Sequence, residues 1–319
     1  VDGVSFDVKK GEVFGIVGES GCGKTTTGRS IIGLYDITGG DVFFEDKLIN
    51  TGLPERQREI KEASKSGDDK KASELKDEYK KAVHEVNKNR KAIVHQNIQM
   101  IFQDPVSSLD PRMTIREIVS EGLIIQGEKN KKVIHDKVNK VLNQVGLLEE
   151  HADRYPHEFS GGQRQRIGIA RAIIMEPKLI IADEPVSALD VSIQAQVINL
   201  LNELRESMDL TLIFIAHDLS VVKYFSDRIA VMYYGKIVEL TTSDELFSHP
   251  CHPYTRALLS AIPSPDPLSE KTRERFHYIP AAAHDYSVEG PTLREVSPGH
   301  YVSCNSAEEE RYKRDVFGL

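Results

Sequence analysis

Apolar and polar positions divide this chain into short runs that end on polar or glycine-rich residues. Val13-Phe14-Gly15-Ile16-Val17 has no polar member, the pattern of a strand buried on both faces. A glycine-rich loop follows, and Thr26 to Leu34 then carries a helical pattern. Three more largely apolar runs end in a similar way. Ile98 to Phe102 runs into Gln103, Leu179 to Ala182 into Asp183 and Glu184, and Leu210 to Ala216 into His217. In open α/β sheets ligands sit outside the carboxyl ends of the strands, so these are the positions to read for chemistry. Val1 to Val8 alternates apolar and polar residues and also reads as a strand, as does Asp41 to Phe44.

Helical period dominates elsewhere. Ile115 to Ile125, Lys132 to Val145 and Ile167 to Met175 all carry it, the first two inside a helical stretch from Pro105 to Tyr155. The segment from Gly52 to Asn97 is different, being rich in Lys and Glu and broken at Ser66-Gly67-Asp68-Asp69. Helix formers flank the break over Glu55 to Lys65 and Lys71 to Val94, and Leu75, Tyr79, Ala82 and Val86 recur at helical spacing. This predicts a solvated helical hairpin projecting from the core. With so few apolar residues to bury, a disordered charged loop is the alternative.

The glycine-rich loop Gly18-Glu19-Ser20-Gly21-Cys22-Gly23-Lys24-Thr25 fits the phosphate-binding pattern G-x-x-x-x-G-K-[ST] at every fixed position. Between a strand and a helix, such a loop aims successive backbone N–H groups and the positive end of the helix dipole at one anion. Lys24 supplies a flexible positive charge for the β- and γ-phosphates, and the Thr25 hydroxyl can ligate Mg²⁺. Asp183 is placed to hold Mg²⁺ through water, and Glu184 to accept a proton from an attacking water. Taken alone, two acids after a strand are commonplace. A second anion site comes from Phe159-Ser160-Gly161-Gly162-Gln163, where Ser160 can cap a helix whose first N–H groups the glycines leave open.

With that third element the chain resembles an ABC-type ATPase, whose signature is Ser-Gly-Gly-Gln after an apolar residue. Phe159 stands where many members carry leucine. The resemblance implies an α/β fold of the P-loop NTPase class, with a RecA-like core, an antiparallel β subdomain and a helical signature subdomain. It implies ATP and Mg²⁺ as cofactors, with Gly18 to Thr25, Thr26, Gln103, Asp183 and His217 at the nucleotide and Thr25, Gln103 and Asp183 at the metal. Glu184, His217 and Gln103 would be catalytic, with Gln103 sensing Mg²⁺ and the attacking water and His217 contacting the γ-phosphate. Ser160, Gly161, Gly162 and Gln163 would cap ATP bound to a partner subunit, and Ser187 and Asp190 would lie in the loop contacting the opposite site. An adenine-stacking aromatic normally lies upstream of the first strand; no residue here fills that role, so the numbered chain is expected to begin inside the domain.

Composition sets limits on partners. At a net charge of −8 with 28% charged residues, no basic nucleic-acid surface is indicated. No stretch approaches the ~18 continuous apolar residues of a membrane span, and no secretory signal is visible. Three cysteines without close spacing suggest a reducing compartment and no disulfide framework. Cys22 reads as a small loop residue rather than a nucleophile.

The C-terminal part narrows the substrate class. His252-Pro253-Tyr254-Thr255-Arg256-Ala257-Leu258-Leu259-Ser260-Ala261-Ile262-Pro263 resembles a run found in ATPases of oligopeptide and dipeptide importers, as does Asp104 to Pro111. Physically the first reads as a proline-capped amphipathic helix with no evident catalytic role. His284-Asp285-Tyr286 and Gly299-His300-Tyr301-Val302 resemble the tails of such subunits from Gram-positive oligopeptide permeases. Some relatives carry a cysteine-ligated iron–sulfur cluster, but Cys251 and Cys304 alone cannot supply four thiolates. His249 and His252 around Cys251 read as exposed loop histidines rather than a metal site.

The expected organisation is an ATPase domain over 1–240, including the 52–97 insertion and a helical subdomain over 105–175, then an importer-type extension over 241–319. The resemblance implies an ATP-hydrolysing subunit at the cytoplasmic face of the membrane. It would pair with a second ATPase subunit as a heterodimer, two transmembrane permease subunits and an extracellular peptide-binding protein. A soluble ABC ATPase acting on ribosomes or DNA is the alternative, though such proteins usually carry two cassettes or a long coiled-coil insertion. A non-catalytic scaffold would be expected to have lost Glu184 or His217, and both are present.

Overall fold

A computed structural model describes residues 1–262 and 276–318. Among these residues the strands are β1 (Val13–Val17), β2 (Asp41–Phe44), β3 (Lys47–Thr51), β4 (Ile98–Ile101), β5 (Leu179–Asp183), β6 (Thr211–Ala216), β7 (Arg228–Tyr233), β8 (Lys236–Thr242), β9 (Thr292–Ser297) and β10 (His300–Cys304). The chain forms two compact units, Val1–Lys24 with Thr211–Leu319, and Thr25–Leu210.

In the first unit β1 lies between β6 and β7 and is parallel to both, with Val13 opposite Leu212 and Phe14 opposite Arg228. All five β1 residues are buried, as expected for a strand covered on both faces. β8 turns back antiparallel to β7, and β10 and β9 continue the antiparallel run. The C-terminal extension therefore adds a hairpin to the strands that carry the phosphate loop. The first eight residues do not form the predicted strand. Val4, Phe6 and Val8 are half-buried in alternation, and Phe6 stacks on Phe14 at 4.9 Å. The backbone is tied by Asp2 N–H to Gly235 O rather than along a ladder, so the side-chain period survives without the strand.

In the second unit β4 and β5 pair in parallel. β2 and β3 form a separate antiparallel hairpin, turning at Glu45 and Asp46 with φ of +48° and +61°. The charged segment forms two helices, α2 (Leu53–Lys65) and α3 (Asp69–Asn89), broken where Asp68 caps α3 by accepting the Lys71 N–H. The hairpin is more deeply rooted than its composition suggests. Small residues do the packing: Ala63, Ala72, Ala82 and Val86 are buried, and Leu48 of β3 joins Ala82 and Val86 in one cluster. At its base the Asn89 amide donates to Leu48 O at 2.9 Å, and the Arg90 guanidinium reaches Ile49 O and Asn50 Oδ1. Three further helices, Ile115–Ile125, Lys131–Gln144 and Gly161–Ile173, follow the predicted helical regions. Thr114 and Glu117 close a capping box on the first.

Candidate functional site

The phosphate loop leaves β1 through backbone that only glycine adopts easily. Gly18 has φ +152°, and a Cβ there would lie 2.2 Å from Met232 O. Gly23 has φ +108°. The helix α1 starts at Lys24 and runs to Ile31, two residues earlier at its start than the sequence pattern indicated. Lys24 is buried, and its ammonium spans the loop, donating to Gly18 O at 2.7 Å and Glu19 O at 3.0 Å. Glu19, Ser20 and Gly21 are exposed along the loop, as is Thr26 on the helix. Burial pushes the Cys22 thiol above its ordinary pKa, with Lys24 acting in the opposite direction, so it stays a thiol at neutral pH. His217 follows β6 in the same unit and is exposed.

The second unit brings four predicted residues into two contacts. The Thr25 hydroxyl donates to Asp183 Oδ1 at 2.7 Å, and Asp183 is fully buried at the end of β5. Arg29, one turn further along α1, approaches Asp183 Oδ2 at 4.0 Å. Beyond β4, the Gln103 amide donates to Glu184 Oε2 at 2.9 Å. The Thr25 hydroxyl, the Asp183 carboxylate and the Gln103 amide oxygen are hard oxygen donors of the kind Mg²⁺ takes. By donor chemistry these three residues suit that ion.

The Ser-Gly-Gly-Gln segment folds as its residue types require. Ser160 caps the helix Gly161–Ile173, accepting the Gln163 N–H, while Gln163 Oε1 accepts the Ser160 N–H. Phe159 is buried ahead of the cap, whereas Ser160 and Gly161 are exposed. Ser187 folds back on the catalytic candidate, with its N–H and hydroxyl both donating to Glu184 O. Asp190 begins the helix Val191–Met208 and receives the Ile193 and Gln194 N–H groups on its carbonyl.

Two features escaped the sequence reading. Tyr254 accepts the Glu19 N–H at 3.0 Å, joining the C-terminal run to the phosphate loop. His252 is buried rather than exposed: it caps the helix Pro253–Ser260, its Nδ1 accepting the Tyr254 N–H. That helix is the proline-initiated one expected; Pro263, the last residue of the run, lies outside the described residues. The pairing of His252 with the following proline could have signalled a cap, but nothing local signals the Tyr254 contact.

Two family models match this chain. The family described as "ABC transporter" matches residues 1–187, and "Oligopeptide/dipeptide transporter, C-terminal region" matches residues 238–288. The chain is 52% identical to the oligopeptide transport ATP-binding protein OppF of Bacillus subtilis, over 97% of this chain and 90% of that one. It is 49% identical to the dipeptide transport ATP-binding protein DppF of Lactococcus lactis, over 99% and 91%. Among solved structures, cbiO1 of Clostridium perfringens, part of the ABC transporter complex cbiONQ, matches with a TM-score of 0.58 at 26% identity, over 77% of this chain and 82% of that one. The ATP-binding cassette MJ0796, in a dimeric post-hydrolysis state bound to ADP and Pi, matches at 0.57 and 28%, over 75% and 89%.

Proposed function

The chain belongs to the ABC transporter family, and from that premise we propose that it is the ATP-hydrolysing subunit of an oligopeptide importer. The observation that carries the reading is the Thr25 hydroxyl on the fully buried Asp183, a ready pair for Mg²⁺ at the end of the phosphate loop. Bound Mg·ATP supplies the anhydride whose hydrolysis releases the energy. The loop N–H groups from Gly18 to Thr25 and the Lys24 ammonium hold its phosphates, with Thr26 beside them at the start of α1. Thr25, Asp183 and Gln103 would hold the Mg²⁺, which would neutralise charge on the phosphates. Glu184 takes the proton of the attacking water, and Gln103, bonded to it, orients that carboxylate. His217 meets the γ-phosphate.

Ser160, Gly161, Gly162 and Gln163 act on the nucleotide of a second, similar ATPase subunit in a head-to-tail heterodimer, and Ser187 and Asp190 line the contact between the two. Closure of that dimer on ATP and its opening after hydrolysis drive two membrane-spanning permease subunits. An extracellular binding protein selects the peptide. A peripheral place at the cytoplasmic face is part of the same proposal; among the described residues no helix is long and apolar enough to cross a membrane. The domain limits follow this division of labour, with the ATPase over 1–240 and the importer-type extension over 241–319.

Co-expression with candidate permease subunits tests the reading. Co-purification and an ATPase stimulated by peptide-loaded binding protein are expected. A chain that hydrolyses ATP but never associates with membrane subunits would favour the soluble ribosome- or DNA-directed alternative.

A further inference from the structure

The peptide plane between Gly18 and Glu19 is held from both ends. Its carbonyl, that of Gly18, accepts the Lys24 ammonium at 2.7 Å. Its N–H, that of Glu19, donates to the Tyr254 hydroxyl at 3.0 Å. Because a peptide unit is rigid and planar, these two bonds fix one orientation. The residue before it gives little help. Gly18 lacks a Cβ and sits at φ +152°, so its own backbone preferences do not select this conformation.

Tyr254 is itself firmly placed. It is 2% exposed, with its ring 4.4 Å from Tyr233 and 5.6 Å from Tyr278. It is the second residue of the helix Pro253–Ser260, capped by His252. The turn before that helix is anchored to β8: the buried Glu239 carboxylate accepts the Cys251 N–H at 2.8 Å and the His252 N–H at 2.9 Å, and meets His300 Nε2 of β10 at 2.8 Å. Those three partners occupy Glu239, so the group Glu239, Cys251 and His300 works here as a framework. Burial raises the Tyr254 pKa far above neutrality, which keeps the hydroxyl uncharged beside the loop.

We infer that Tyr254 is a positioning residue for the phosphate loop: through the Gly18–Glu19 peptide it fixes the Gly18 carbonyl, the nearer of the two on which the Lys24 ammonium rests, and so couples nucleotide affinity to the C-terminal extension. The inference rests on the reading of residues 18–25 as the nucleotide site. It also gives the His252–Ile262 run a role that its sequence did not disclose.

The test uses the full chain with Tyr254→Phe, which keeps the ring and removes the acceptor. Two readouts are taken, amide hydrogen exchange resolved at Glu19 and equilibrium binding of a fluorescent ATP analogue with Mg²⁺. Exchange at Glu19 should rise at least ~10-fold while β1 amides keep their rates. Affinity should fall ~3- to 10-fold, the range for loss of one hydrogen bond. Tyr278→Phe, which removes a hydroxyl from a neighbouring ring, should change neither. Unchanged Glu19 exchange and affinity in Tyr254→Phe would overturn the inference, as would faster exchange spread evenly over the unit, the mark of a packing role. If Tyr254→Phe does not fold, 3,5-difluorotyrosine at position 254 keeps the hydroxyl but weakens its oxygen as an acceptor, and the same readouts decide. Wild-type chain that binds no nucleotide, or a Lys24→Ala chain that binds as well as wild type, would instead overturn the nucleotide-site reading.

Discussion

Glu184, the acid that follows buried β5, has a left-handed backbone with φ of +45°, a conformation set by its surroundings rather than by the residue's own preference. Such conformations persist where neighbours over-determine them, and here Ser187 donates twice to the Glu184 carbonyl. Glu184→Gln preserves both backbone and shape while removing the carboxylate proposed as the base. Turnover in the assembled transporter should fall ~100-fold or more, with ATP binding retained and an ATP-bound dimer accumulating on size exclusion. Near-normal turnover would mean that another group is the base or that the partner's site carries the flux.

At the scale of elements, the two signature glycines separate into different duties. A Cβ on Gly162 would lie 2.7 Å from Ile193 Cγ2, so this glycine admits the helix Val191–Met208 at close range within its own unit. A Cβ on Gly161 would meet only Leu189, at an ordinary 3.8 Å. Gly162→Ala should therefore cost about 1–2 kcal/mol of stability by overpacking, read as a lower urea midpoint. Gly161→Asp places an acid on the first residue of a helix, where the dipole favours it, so stability should hold or rise slightly. The same carboxylate would face the partner's γ-phosphate and abolish coupled hydrolysis, while ATP binding by the isolated chain stays intact. Loss of binding in the isolated chain with Gly161→Asp would contradict the head-to-tail arrangement. The signature helix was readable to its cap because Ser160 and Gln163 are local partners. The depth of the α2–α3 root was not, because it rests on alanines and on polar bonds to β3, which a hydrophobic-period reading undercounts.

At the scale of the molecule, what stayed illegible was long-range. The Glu19–Tyr254 bond joins residues 235 positions apart, and no local pattern encodes it. The burial of His252 belongs to the same class, and it has a consequence for stability. Its pKa is lowered to about 3, first by burial and then by the charge of His284, whose ring lies 5.0 Å away. An unfolded histidine takes up its proton near pH 6.5. Between these values the unfolded chain binds more protons than the folded one, so stability falls as pH falls, by at most about 1.4 kcal/mol per pH unit from this group. The contribution is whole above pH ~6.5 and is lost progressively on the way down to the folded value. His252→Asn removes the titration but keeps a side chain that caps helices well in place of Nδ1. Urea midpoints measured from pH 7 to pH 4 should fall less steeply for His252→Asn than for wild type, with the two curves diverging below pH ~6.5. Parallel curves would mean that His252 reaches solvent and titrates normally, and that the buried cap holding Tyr254 against the phosphate loop is not the stable arrangement.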